Sequence, residues 1–293
     1  MLYQLENEKL QIVINSLGAE LQNIILKSNS TEYLWPADAQ YWARHAPVLF
    51  PIVGKLKNNQ YYYENQKYEL SQHGFARDSE FNLIEQFDNK ITFQLNENEN
   101  TLKIYPFKFC LRIIYTLSEN QLIIQYQIHN PDTKPLYFSI GSHEAFNCPL
   151  TTKNKFENYS LKFSADEQLE RTFLVDGLRS EKTEIITLTN NHLTLNEKLF
   201  QNDALIFENL KSREVILCEH HQTKIKFQFA DFPYFAIWKK ANANFLCLEA
   251  WAGLADPDES PKRAGGHLVS KKGIMALAAG ATREFEHMIV IAE

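Results

Sequence analysis

Apolar and polar positions alternate with a period of two along much of this chain, the spacing that sends successive side chains to opposite faces of a strand. Ile91, Phe93 and Leu95 alternate with Thr92 and Gln94; Ile124, Tyr126 and Ile128 alternate with Gln125, Gln127 and His129; Ile225, Phe227 and Phe229 alternate with Lys224, Lys226 and Gln228. Such runs predict half-buried antiparallel strands, each with one wet face. Turn-forming clusters at residues 57–59 (KNN), 96–100 (NENEN), 118–120 (SEN) and 190–191 (NN) predict hairpins or short loops between them. The chain shows no long amphipathic helix, no linker rich in Pro, Gly or Ser, and no repeat of about 20 to 50 residues. The expected architecture is all-β: one large antiparallel β-sandwich, with residues 1–293 forming a single domain.

Two stretches break the alternation. Residues 44–57 (RHAPVLFPIVGKLK) are apolar but contain Pro47 and Pro51, which remove ladder donors, so a buried loop crossing the sheet is expected there. Residues 250–267 (AWAGLADPDESPKRAGGH) read as loop throughout and follow a predicted strand over 245–248. Functional groups gather on such loops when rigid strands hold them.

Composition narrows the possible partners. Twenty Phe and 13 Tyr in 293 residues favour strands. A net charge of -6, with acids and bases mixed along the chain, leaves no basic stripe for phosphates, so nucleic acid is not an expected partner. The longest apolar run, residues 46–54, is interrupted by prolines and far shorter than the roughly 18 residues of a membrane helix. The opening MLYQLENEKL has acids and no apolar signal segment, so a cytoplasmic protein without membrane contact is expected, as monomer or homodimer. Cys110, Cys148, Cys218 and Cys247 stand singly, without a CxxC pair, and read as reduced thiols with no zinc site.

Three residues stand in settings suited to proton transfer near neutral pH. His73 precedes a glycine that permits a tight bend and lies four residues before Arg77. His143 follows the predicted strand over 136–140. Glu249 ends the predicted strand over 245–248, where burial would raise its pKa. Each signal alone is weak, because a histidine or glutamate at a strand end is more often structural. Two other clusters are set aside. His220-His221, read as neighbours on a strand, would face opposite ways and not share a metal; residues 256–260 (DPDES) lack the glycine and distal Glu of a calcium loop.

Taken together, HGFAR (73–77), GSHEAFNCPL (141–150) and CLEAWAG (247–253), in this order and spacing, resemble the aldose 1-epimerase (galactose mutarotase-like) family, and within it the LacX-related branch. LGAEL (17–21), APVLFPIVGKL (46–56) and YPFKFCLRIIYTL (105–117) extend the likeness over essentially the whole chain. The resemblance implies a β-supersandwich and an isomerase that interconverts the α and β anomers of an aldohexose, without cofactor or metal. It implies Glu249 as general base on the C1 hydroxyl, His143 as general acid on the ring oxygen, His73 as a second histidine near that oxygen, and Asp203 as a sugar-binding carboxylate. Arg77 and Arg44 are the candidates to hold sugar hydroxyls, and Trp251, Phe75 and Phe232 the candidates to pack on a pyranose face, with core packing as the simpler role for each aromatic.

The chain departs from galactose mutarotases after Gly54. An Asn-Arg pair is usual there in those enzymes, but this chain reads Lys55-Leu56-Lys57-Asn58 and so lacks an expected sugar-contacting arginine. HGFAR also resembles the hexose-6-phosphate 1-epimerase branch, in which arginines receive a phosphate. That branch usually carries a Trp-rich segment where this chain has residues 48–52 (VLFPI). A non-catalytic sugar-binding protein on the same fold is the other alternative, disfavoured by two histidines opposing a glutamate. A glycosidase or polysaccharide lyase would call for paired carboxylates or a Tyr base, and no such pair is seen.

Overall fold

A computed structural model describes residues 1–151, 153–258 and 266–292. The alternating runs become long antiparallel strands. Lys90–Asn96, Cys110–Ser118 and Gln121–His129 pair in succession, and Thr282–Ile291 joins them to Gln222–Gln228. With Glu214–Glu219, Tyr159–Phe163, His192–Thr194 and Asn82–Gln86 they build a nine-stranded sheet among the described residues. A second sheet centres on Phe245–Ala252, flanked by Tyr234–Trp238, Leu205–Phe207, Leu169–Val175 and Leu178–Ile186 on one side. Ile140–Gly141 and Glu144–Asn147 flank it on the other. The two sheets face each other as an antiparallel β-sandwich, and one apolar cluster runs between them from Leu5 to Ile291.

Local sequence explains several departures from expectation. Residues 96–100 do not close a hairpin: the Asn98 side chain accepts from Asn100 N and Thr101 N and so starts a one-and-a-half-turn helix, Glu99–Ile104. His220 and His221 lie in the turn between Glu214–Glu219 and Gln222–Gln228, both with positive φ, rather than on a strand. No helix among the described residues is long and apolar enough to cross a membrane. Asp256 of the acidic loop is committed to Lys271, at 2.9 Å, and to Lys57 N, while Glu259 and Ser260 lie outside the described residues.

The correction that matters most concerns Glu249. It does not end a strand; the strand continues through Ala252, and all eight residues of Phe245–Ala252 are buried. Leu246, Leu248, Ala250 and Ala252 point into the main core, while Phe245, Cys247, Glu249 and Trp251 point the other way. Both faces are covered, so no alternation of polar and apolar positions marks the strand's course in the sequence.

Residues 44–57 do form the expected buried loop. Glu20 Oε1 accepts from His45 N and Ala46 N at its start. Leu49 and Gly141 then exchange both backbone hydrogen bonds, and the Phe50 carbonyl accepts from Phe75 N and Ala76 N. The loop thereby fastens the 73–77 turn to the strand edge at Gly141. The turn needs Gly74: its φ is +72°, and a Cβ would stand 2.3 Å from the Phe50 carbonyl oxygen.

Candidate active site

His143 reaches Glu249 because of strand register. Gly141 pairs with Trp251 and Glu144 with Leu248, which sets His143 across from Glu249 on the same face. The ladder is interrupted at this point, where Ser142 Oγ rather than a carbonyl accepts from Ala250 N. His143 Nε2 lies 3.3 Å from Glu249 Oε2. His143 stacks on Trp42, with ring centroids 5.0 Å apart and planes 24° apart, and meets the edge of Trp238.

His73 enters from the loop, held by His73 N to Gly54 O and by Gly54 N to its own Nδ1 at 3.1 Å. Because Nδ1 accepts, the neutral imidazole carries its proton on Nε2, which meets the Gln72 side-chain amide at 3.2 Å. His73 has φ +67°, a strained conformation for a residue with a Cβ, and its ring centroid is 5.7 Å from that of His143.

These groups line a cavity of about 560 Å³ together with Trp42, Gln72, Arg77, Asp203, Trp238, Lys239, Lys240 and Trp251. That volume suits a small ligand. Asp203 stands on the far wall with φ +70°, its Oδ1 accepting from Ala204 N. Arg77 is fixed by a 2.7 Å bond to the Gln72 carbonyl, and its Nε is buried without a hydrogen bond. His143 Nδ1, Glu249 Oε2 and Trp251 Nε1 are likewise buried and without a hydrogen bond. Unmet polar atoms that converge on one cavity are the mark of a binding site, since burying them unpaired costs about 1–3 kcal/mol each.

Of the residues expected from sequence, His73, His143, Glu249, Asp203, Arg77 and Trp251 are thus brought together, and three are not. Arg44 does not line the cavity; its guanidinium is bound to Asp78 at 2.6 Å and to the Arg77 carbonyl. Phe75 packs into the Phe50, Tyr105 and Phe109 cluster. Phe232 is fully buried against Tyr126, Phe285 and His287. For both phenylalanines the apolar core offers more contact than a polar cleft. Sequence reasoning missed Trp42 and Trp238. Their scarcity was a usable signal, because three of only four tryptophans line this cavity.

Burial governs the protonation of the site. It pushes the Glu249 carboxyl well above the usual range, and the Glu144 and Asp203 carboxylates add to the rise. Burial likewise lowers His143 to about 3, with Arg77 and Arg44 acting in the same direction, and holds His73 well below its ordinary value. Burial thus favours the uncharged forms of both groups, a neutral imidazole beside a protonated carboxyl.

Comparison with known proteins identifies the family. The family description "Aldose 1-epimerase" matches residues 1–261. The plasmid-encoded protein LacX of Lactococcus lactis subsp. lactis is 38% identical over 266 residues, 87% of this chain and 89% of LacX. A galactose mutarotase related enzyme from Lactobacillus acidophilus superposes with a TM-score of 0.93 at 32% identity, covering 100% of this chain and 98% of that one. A galactose mutarotase-like protein from Lactobacillus casei gives 0.91 at 32% identity, with 100% of both chains covered. The likeness spans the strands, the 44–57 loop and the segments that carry both histidines and the glutamate, and the chain belongs to the aldose 1-epimerase family.

Proposed function

We propose that this chain is an aldose 1-epimerase that interconverts the α and β anomers of an aldohexose by general acid–base ring opening. The observation that carries the reading is the 3.3 Å contact between His143 and Glu249 at the floor of the cavity, with hydrogen-bond capacity on both left unmet. One buried proton shared by two groups of opposite type is what anomerisation requires, because the reaction moves one proton onto the ring oxygen and one off the C1 hydroxyl.

The reaction balances on this pair. The shared proton starts on Glu249, whose protonated form burial favours. Sugar hydroxyls reaching Glu249 Oε2 and His143 Nδ1 replace the missing solvation and favour the charged arrangement, so the proton crosses to His143. Glu249 then takes the O1 proton as His143 gives its own to O5 and the C1–O5 bond breaks. The aldehyde turns about C1–C2, and the reverse transfers close the ring with the other face attacked. His73, once a sugar oxygen replaces the Gln72 amide at its Nε2, stabilises charge developing near the ring oxygen. Each positioned group contributes on the order of 10² to 10⁴ in rate. Asp203, Arg77 and Trp251 hold the sugar.

Polarimetry with free and 6-phosphorylated aldohexoses tests the reading. Acceleration of a free aldohexose is expected, and no acceleration with any sugar would replace the enzyme by a binding protein. A response confined to phosphorylated sugars would assign the cationic wall, Arg77 with Lys240, to a phosphate.

A further inference from the structure

Cys247 takes no part in the proposed reaction, yet it stands beside the reacting pair. It lies two residues before Glu249 on Phe245–Ala252, so both side chains share a face. His143 comes to that face from the break between Ile140–Gly141 and Glu144–Asn147, across from Glu249. One ligand atom from each of the three residues falls within 4.8 Å of the other two. The group is enclosed: Cys247 is fully buried, Glu249 is 1% exposed and His143 is 8% exposed. Glu249 Oε2 and His143 Nδ1 make no hydrogen bond.

We propose that Cys247, Glu249 and His143 form a three-ligand site for a zinc-type cation, and that occupation of this site blocks the sugar reaction. The site rests on the geometry; the blockade rests on the proposed function. A tetrahedral zinc with Zn–N and Zn–O bonds near 2.1 Å separates those two ligands by roughly 3.4 Å. The His143–Glu249 contact is already 3.3 Å. The thiol has only to close by about 1 Å to complete the third bond, since Zn–S is near 2.3 Å. The fourth position opens on the cavity, toward water or a sugar oxygen.

The donor set selects the ion. Thiolate and imidazole favour zinc or cadmium over magnesium or calcium, which seek oxygen ligands. Charge balances as well, because one thiolate, one carboxylate and a neutral imidazole offset a divalent cation in a setting that penalises any net charge. Burial pushes the Cys247 thiol well above its ordinary range, with the Glu249 and Glu144 carboxylates adding to this. Metal binding must expel the Cys247 thiol proton and so tightens as pH rises. Spacing among cysteines alone gave no hint of this, because the partners are a glutamate two residues on and a histidine from a remote segment.

The test is a cadmium titration of the purified chain without sugar, read by equilibrium dialysis and by ultraviolet thiolate-to-cadmium absorption. One thiolate-bound ion per chain is expected, with protons released into weak buffer and no binding of magnesium at millimolar levels. Cys247→Ser should lose the absorption band while keeping wild-type mutarotation and losing zinc inhibition. Cys247→Ala, with near-ultraviolet circular dichroism on both variants, guards against misfolding. No band in the wild type, or a band undiminished in both variants, overturns the site. A band lost with Cys247 in a chain that accelerates no sugar leaves the metal site standing and removes the proposed function. Mutarotation unaffected by saturating zinc removes the blockade.

Discussion

Two buried histidine–carboxylate pairs stand back to back across one strand. His143 and Glu144 are neighbours in sequence and face opposite ways: His143 meets Glu249 on the cavity side, while Glu144 meets His287 at 3.0 Å on the core side. Residue types and burial are the same. The surroundings are not. Glu144 also accepts from Ser142 Oγ at 2.7 Å, and His287, whose ring nitrogens make no hydrogen bond, is stacked on Tyr126 and packed against Phe227. Glu249 and His143 instead line the cavity. A buried acid–imidazole pair is open to chemistry only where it faces a space a ligand can enter; where the core closes over it, the pair is architecture.

Breaking each pair should therefore give opposite phenotypes. Glu249→Gln should lower kcat by on the order of 10² to 10⁴ with a folded protein and little change in KM, because the acceptor of the O1 proton is gone. Glu144→Gln should mainly cost stability, about 1–3 kcal/mol because it disturbs buried polar contacts to His287 and Ser142, read as a shift in denaturant midpoint. The folded fraction of that variant should keep its turnover within about tenfold. A Glu144→Gln enzyme as inactive as Glu249→Gln would erase the distinction between the two sides.

Acidity sharpens the same contrast. With Glu249 raised and His143 lowered to about 3, the cavity pair holds one proton throughout the intervening range. Activity should be level through neutral pH, fall on the acid side only as a second proton is added, and fall on the alkaline side as the shared proton is lost. An acid limb centred near 6.5, the ordinary histidine value, would contradict the buried neutral imidazole. Arg77→Ala should raise KM by roughly tenfold with kcat nearly unchanged, because its guanidinium binds and does not transfer protons. The smallest effect links the two pairs: the Glu144 charge helps to raise Glu249, so in Glu144→Gln the alkaline limb should move to lower pH.

The same contrast explains what was legible in the sequence. Strands with one wet face announced themselves by alternation, as in Gln121–His129. The strand that carries Glu249 did not, because both of its faces are covered and its apolar run breaks only at Glu249 itself. The loop at 44–57 was readable from its two prolines. His73, His143 and Glu249 were recoverable from motifs, whereas their protonation was not, since burial is a tertiary property. Trp42 and Trp238 reach His143 from two remote segments, so no local pattern joins them to it. Phe232 and Phe75 have the right chemistry for a sugar face but are drawn into the core instead.

The central claim is that the His143–Glu249 pair moves the anomeric proton. Saturation-transfer NMR on the two C1 protons of an aldohexose at neutral pH, with wild-type chain and with Glu249→Gln at equal folded concentration, tests it directly. The account predicts exchange between the α and β signals with the wild type and exchange near the buffer rate with the variant. Exchange that is equally fast with both proteins would contradict it.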